Sequence, residues 1–318
     1  LPSKNRSDRP EHWGRMHQLA GQPQGLLLNG RHFPEFVVRH LPNADVPVAI
    51  AAPSSAPPKA RVYLLHGLGY SISSVYSVVQ TARTLLAIAD GGAGQPFAEW
   101  FARRYPDLRL PLETVLYDVP PMGWAPSFET LPTAEAIGLY FRSIAAELQS
   151  MSPLDDFYLC RSASCAPGLI AAETARGAIL TGATFPDADV LQANRDELER
   201  LEREGIEKPR WDIVDPLLER FADFRFLRRL EAAAQSHTPV LSLVGAEDPE
   251  TPELAQRLWS DLLGIDAGRP HRSQVAIPGA GHQVFRRPAH LSPTEFHDDD
   301  PDVRAYVALL RFLKAQVR

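Results

Sequence analysis

The chain has 318 residues, 44% hydrophobic and 23% charged, with 33 basic against 39 acidic side chains and a formal charge of −6. That length is ample for a substantial buried core in one large domain or two small ones. The acidic balance leaves no basic excess to neutralise nucleic-acid phosphates, and no apolar run approaches the roughly 20 residues of a membrane span.

Residues 1–24 are polar, carry Pro2, Pro10 and Pro23, and read as an N-terminal extension in which Trp13, Met16 and Leu19 are spaced to dock as a short helix. Segments 25–30 and 36–41 are expected to pair as strands around a turn, and the Pro/Ala/Ser stretch 52–59 is a loop. Strands and helices then alternate, which predicts a mostly parallel sheet covered by helices. The strands are 61–67, 113–118, 157–161 and 178–181; the helices are 74–89, 133–151 and 163–176. Asp90-Gly-Gly stops the first helix and Thr133 opens the second. The alternation lapses over 185–237, which reads as two charged amphipathic helices. Leu191, Leu198 and Leu201 line the first, and Ile213, Leu217, Phe221 and Phe224 the second. The sheet resumes with strand 239–245, helix 253–263 and strand 274–277. A last helix follows, with Asp300 as its cap and Pro301 as its first residue. The expected organisation is therefore an N-terminal extension (1–24), a first core segment (25–184), a helical cap or lid (185–237) and a second core segment (238–318).

Ser162 stands between an apolar strand and a helix rich in small residues, within Cys160-Arg161-Ser162-Ala163-Ser164. A serine held on a sharp strand-to-helix turn projects its hydroxyl over the sheet and needs small neighbours, the logic of the G-x-S-x-G elbow. Cys160 and Ser164 occupy its two glycine positions. A serine hydroxyl becomes a nucleophile only when a base takes its proton, and that base needs an orienting acid. Asp248, in GAED, and His282, in GAGH, each follow a later strand, so the chain order is Ser, Asp, His. Glu247 beside Asp248 is an alternative acid. After the strand 61–67, His66-Gly67-Leu68-Gly69 brings a glycine-rich backbone near the serine, so the Leu68 and Ala163 N–H groups are candidates for an oxyanion hole. A dinucleotide fingerprint is excluded there, because Ile72 fills the third glycine position.

Over residues 61–318 these motifs (HGLG, CRSAS, GAED and GAGH) resemble the α/β-hydrolase family, in the branch with an HGxG loop and a helical cap. The resemblance implies an α/β-hydrolase fold with Ser162 as nucleophile, His282 as base and then acid, and Asp248 as the orienting acid. In the family the acid sometimes follows the preceding strand, where Asp187 and Asp189 lie. The expected activity is a serine esterase or thioesterase acting through an acyl-serine on a small-molecule or carrier-bound acyl substrate. An acyltransferase or cyclase using the same triad, and a non-catalytic binding protein on the same fold, are the alternatives.

Gly67, Met122, Trp124, Phe128, Phe285 and Arg161 are candidates for the substrate pocket, and Arg161, Arg286 and Arg287 for a positive field around it. Cys160 and Cys165 lack redox spacing and are expected to be structural. His297 with Asp298, Asp299 and Asp300 reads as helix-start charge rather than a metal cluster. No metal, cofactor or nucleic-acid partner is expected. The chain opens on Leu1 rather than Met; a cytoplasmic location is the expectation, with a cleaved precursor as the alternative. Its 29 prolines, such as Pro120, Pro121, Pro126, Pro249 and Pro278, fall largely in connections that would shape a pocket.

Overall fold

The computed structural model describes residues 25–28, 31–67, 76–92, 94–120, 125–127, 129–205, 211–248, 251, 253–269, 271–285 and 296–317. The N-terminal extension lies outside these. β1 (Leu26–Leu28) and β2 (Arg31–Phe33) pair antiparallel as a small separate sheet. β3 (Val37–Leu41) and β4 (Val46–Ala51) pair antiparallel around a turn in which Asp45 takes φ +47. This corrects the expected pairing of 25–30 with 36–41. Each strand instead takes the neighbour that a short turn can reach, and aspartate is one of the few residues that tolerates the left-handed conformation such a turn imposes.

The predicted alternation follows: β5 (Ala60–Leu65), α1 (Tyr76–Ala89), α2 (Pro96–Arg104), β6 (Leu112–Leu116), α3 (Ala134–Met151), β7 (Asp155–Arg161), α4 (Cys165–Ala171) and β8 (Gly177–Thr181). α2 was not expected, and 3-10 turns at 162–164 and 172–174 flank a shorter α4. Thr133 caps α3, its hydroxyl accepting from the Ala136 N–H at 3.1 Å. Among the described residues of 188–234 three helices form, not two: α5 (Ala188–Arg203), α6 (Trp211–Phe221) and α7 (Phe224–Ala234). The Asp223 carboxylate accepts from the Arg225 N–H at 2.9 Å and starts a new helix, so Phe224 leaves the expected stripe and is 67% exposed. The chain closes with β9 (Val240–Gly245), α8 (Glu253–Leu263), β10 (Arg272–Ile277) and α9 (Pro301–Gln316).

Eight strands form one sheet in the order β10-β9-β8-β7-β5-β6-β4-β3, parallel except where β4 runs antiparallel to both neighbours. Residues of α1, α2 and α9 bury one face, and residues of α3, α4, α7 and α8 the other. α7 belongs to that second layer: Leu230, Ala233 and Ala234 are buried, and Arg229 grips both Glu173 oxygens at 2.6 Å and Glu135 at 3.0 Å. The chain steps from β5 to β6 on one side, then crosses back to place β7 on the other side of β5. The connections leaving the carboxyl ends of β5 and β7 therefore diverge, and that switch point is where open α/β sheets form their ligand crevice. None of the described helices is long and apolar enough to cross a membrane.

Candidate active site

Ser162 is the first residue beyond β7 and takes φ +53, a left-handed conformation that costs a serine roughly 1–2 kcal/mol. The turn is held by Ser164, whose hydroxyl accepts from the Arg161 N–H at 3.0 Å and donates to the Arg161 carbonyl at 2.8 Å. A residue standing where the elbow pattern has glycine thus supplies the hydrogen bonds that close the turn. Cys160, at the other glycine position, is fully buried, and the room for its sulfur comes from Gly168 on α4. A Cβ at residue 168 would lie 2.2 Å from Cys160 Sγ. The small residue the elbow requires has moved to the facing helix.

Asp248 follows β9 and His282 follows β10. His282 Nδ1 lies 3.0 Å and 3.2 Å from the two Asp248 oxygens, with the Asp248 side chain fully buried and that of His282 10% exposed. Of the other candidate acids, Glu247 is exposed, and Asp187 caps α5 by accepting from the Asp189 and Val190 N–H groups. Two groups that sequence reasoning missed complete the arrangement. Thr251 is buried; its N–H donates to Asp248 Oδ1 at 3.1 Å and its hydroxyl sits 3.4 Å from His282 Nδ1. Gly182, one residue past β8 at φ +51, leaves room for the imidazole: a Cβ there would fall 2.9 Å from His282 Cε1 and Nδ1. Because Arg161 pairs with Thr181 in register, Gly182 follows the partner of the residue before Ser162. His282 thus packs against the strand end that neighbours the serine. At Gly245 a Cβ would meet the Gly281 carbonyl at 2.2 Å, so that glycine lets the His282 loop lie on the end of β9.

On the other side of Ser162, a Cβ on Gly67 would stand 3.2 Å from Ser162 Cβ, which places the backbone after β5 against the serine. His66, fully buried, braces this turn. The Val119 N–H donates to His66 Nε2 at 3.0 Å, so the ring proton is on Nδ1, which donates to the Gly67 carbonyl at 2.8 Å. Ala163 is buried beside Ser162. Leu68, Met122, Trp124, Phe128, Arg286 and Arg287 lie outside the described residues. Arg161 and Phe285 share a cavity of about 20 Å³ with Ser77, Thr81 and Thr181. There Arg161 donates to the Ser77 hydroxyl at 2.8 Å, while the Phe285 ring packs 5.0 Å from Tyr306 in the core. Phe285 therefore backs the cavity.

Burial pushes both thiols, Cys160 and Cys165, well above the ordinary range, so neither is a nucleophilic thiolate near neutrality. The acidic run before α9 is absorbed in local bonds. Asp298 meets Arg104 and Tyr105, Asp299 meets Arg304, and Asp300 accepts from the His297 N–H at 2.8 Å. Asp300 occupies the cap position of α9 but spends its carboxylate outside the helix. Among the described residues no group of three His, Cys, Asp or Glu is arranged to hold a metal ion.

No protein-family model matches the chain, and no curated protein matches it. Solved structures do. The chain is similar to Est1E from Butyrivibrio proteoclasticus, at TM-score 0.55 and 14% identity over 89% of this chain and 99% of that one. It is similar also to a cold-adapted esterase from an Arctic intertidal metagenomic library, at TM-score 0.51 and 13% identity over 92% of each chain. A monoacylglycerol lipase from Paleococcus ferrophilus aligns at TM-score 0.51 and 16% identity, over 85% of this chain and 99% of that one. The chain has the α/β-hydrolase fold.

Proposed function

We propose that this α/β-hydrolase-fold chain is a serine hydrolase that cleaves an ester, thioester or related acyl bond through an acyl-Ser162 intermediate. That fold hosts many chemistries, so the case rests on the residues. The observation that carries it is the buried Asp248–His282 pair, 3.0 Å apart, standing at the strand end next to a serine in a strained turn. His282 Nε2 takes the Ser162 Oγ proton as the oxygen attacks the acyl carbon. Asp248 holds the Nδ1 proton and stabilises the imidazolium. The N–H groups of Leu68 and Ala163 receive the oxyanion. The leaving group departs with the proton from His282. Water, deprotonated in turn by His282, then releases the acid and regenerates Ser162. Gly67 and Arg161 belong to the substrate pocket with Phe285 behind it, and α5 and α6 serve as its lid.

Hydrolysis of p-nitrophenyl esters and acyl thioesters of graded chain length tests this reading. The wild type turns over at least one series. Ser162→Ala and His282→Ala each lose about 10³-fold or more in kcat/KM with the melting temperature nearly unchanged. Equal turnover by Ser162→Ala would overturn it.

A further inference from the structure

At the opposite end of the strands from Ser162, the amino-terminal ends of β8, β9 and β10 surround a cleft of about 980 Å³ lined by Arg176, His237, Arg269, His271 and Arg272. Two of its guanidinium groups converge on the carboxyl end of α7. Arg272 donates to the carbonyls of Ser236 at 2.6 Å and Ala234 at 3.3 Å; Arg269 donates to Ala234 at 3.2 Å and to the Gln235 side chain at 2.8 Å. The partial negative charge of the helix end explains why they gather there, but it uses only part of each fork. Arg272 NH1 is buried with no hydrogen-bond partner. A buried, unmet donor on a charged group is costly unless something supplies an acceptor.

The local charge balance points the same way. No carboxylate pairs with Arg269 or Arg272 among the described residues. Glu173, the acid that lines the cleft, is committed to Arg229 and Arg142, and Arg176 is paired with Asp155. Burial first, and the neighbouring Arg269 charge second, lower the pKa of Arg272 to about 10. His271, on the same rim, takes φ +66, an unfavourable conformation for a residue with a side chain, while its carbonyl accepts from the Val240 N–H at 2.9 Å. Two like charges are held together, each satisfied on one side by backbone, in an open cleft on an otherwise acidic chain.

We propose that this cleft is an oxyanion site, distinct from Ser162, that takes a doubly charged phosphate group between Arg269 and Arg272. Two guanidinium groups without carboxylates match a dianion in charge, and their planar forks match its oxygens in geometry. The phosphate is either free or the terminal group of a phosphate monoester, and the same experiment separates these.

Calorimetric titration of the full chain with inorganic phosphate, at constant ionic strength balanced with chloride, gives a saturable one-to-one isotherm. Arg269→Gln raises Kd about tenfold or more and leaves ester hydrolysis at the wild-type rate. Arg176→Gln raises Kd by a smaller factor. Arg272→Gln is set aside as the primary variant because Arg272 also holds the Ser236 and Ala234 carbonyls. Ser162→Ala binds phosphate as the wild type does, so the outcome here is independent of the hydrolase reading. Glycerol 3-phosphate binding more tightly than inorganic phosphate identifies a monoester as the ligand class; equal or weaker binding identifies free phosphate. Absence of a saturable isotherm for both, or the same Kd in Arg269→Gln as in the wild type, would overturn the proposal.

Discussion

Exchanging the small residues of the elbow tests how the turn accommodates Cys160. In Gly168→Ala the new methyl would sit 2.2 Å from Cys160 Sγ and 3.3 Å from Cys160 Cβ, against an ordinary contact of about 3.5–4.0 Å. Both positions are buried, so neighbours must move by about 1 Å or more, and overpacking of that kind costs about 1–3 kcal/mol. Cys160→Gly alone removes a buried sulfur and introduces a glycine into a strand, for a cost of roughly 1–2 kcal/mol. In the double variant the clash is gone. The nearest remaining contact of the methyl is Leu65 Cδ1 at 3.5 Å, and alanine is favoured over glycine in a helix by up to about 1 kcal/mol. The two changes should therefore compensate, with a coupling energy of about 2 kcal/mol. Thermal unfolding of the four proteins reads this as a fall of roughly 2–4 °C in Gly168→Ala and a double variant about as stable as Cys160→Gly alone, where additivity would place it about 3 °C lower. Strict additivity of the two single effects would refute the complementary packing of Cys160 and Gly168.

Gly182→Ala presses a methyl onto the His282 ring and adds strain at φ +51. Ester hydrolysis should fall about 10²-fold through a displaced base, and a kcat/KM equal to the wild type would show that the ring is not held there. Iodoacetamide should leave Cys160 and Cys165 unmodified in the native protein and modify both after unfolding, because burial keeps both thiols protonated; native alkylation followed by mass spectrometry would contradict this. Burial pushes Asp156 up to about 6 against the pull of Arg61. Between the ordinary carboxylate value and about 6 the folded chain keeps a proton that the unfolded chain has lost, so this group's stabilisation is lost as pH rises through that window. Asp156→Asn, which leaves Arg61 its Glu113 partner, should flatten the dependence by about 3 kcal/mol at full effect, of which about 2 kcal/mol falls between pH 4.5 and 7.5. Urea unfolding at pH 4.5 and 7.5 measures it, and an unchanged difference between the two would count against the assignment.

The parts of the fold legible in the sequence are those set by local pattern. The β5-to-β8 alternation, with the Thr133 cap, follows from apolar strands separated by amphipathic helices, and Ser162, Asp248 and His282 stand out by their order after separate strands. β4 was hidden by Pro47, which lies in the part of the strand outside its pairing with β6, where Ala49–Ala51 meet Thr114–Leu116. The break between α6 and α7 was hidden because Phe221 and Phe224 keep helical spacing across Asp223. Thr251 and Gly182 escaped notice for a different reason: they act on His282 from 31 and 100 positions away, and their roles exist only through space. Gly168 is similar, since its meaning comes from a sulfur on the facing strand.

The central claim is that Ser162 is a nucleophile activated by His282. Treatment of the native chain with a fluorophosphonate, followed by intact and peptide mass spectrometry, tests it most directly. One adduct per chain is expected, on Ser162, absent in Ser162→Ala and formed at least about 10³-fold more slowly in His282→Ala. No adduct on the wild type, or one that persists in Ser162→Ala, would contradict it.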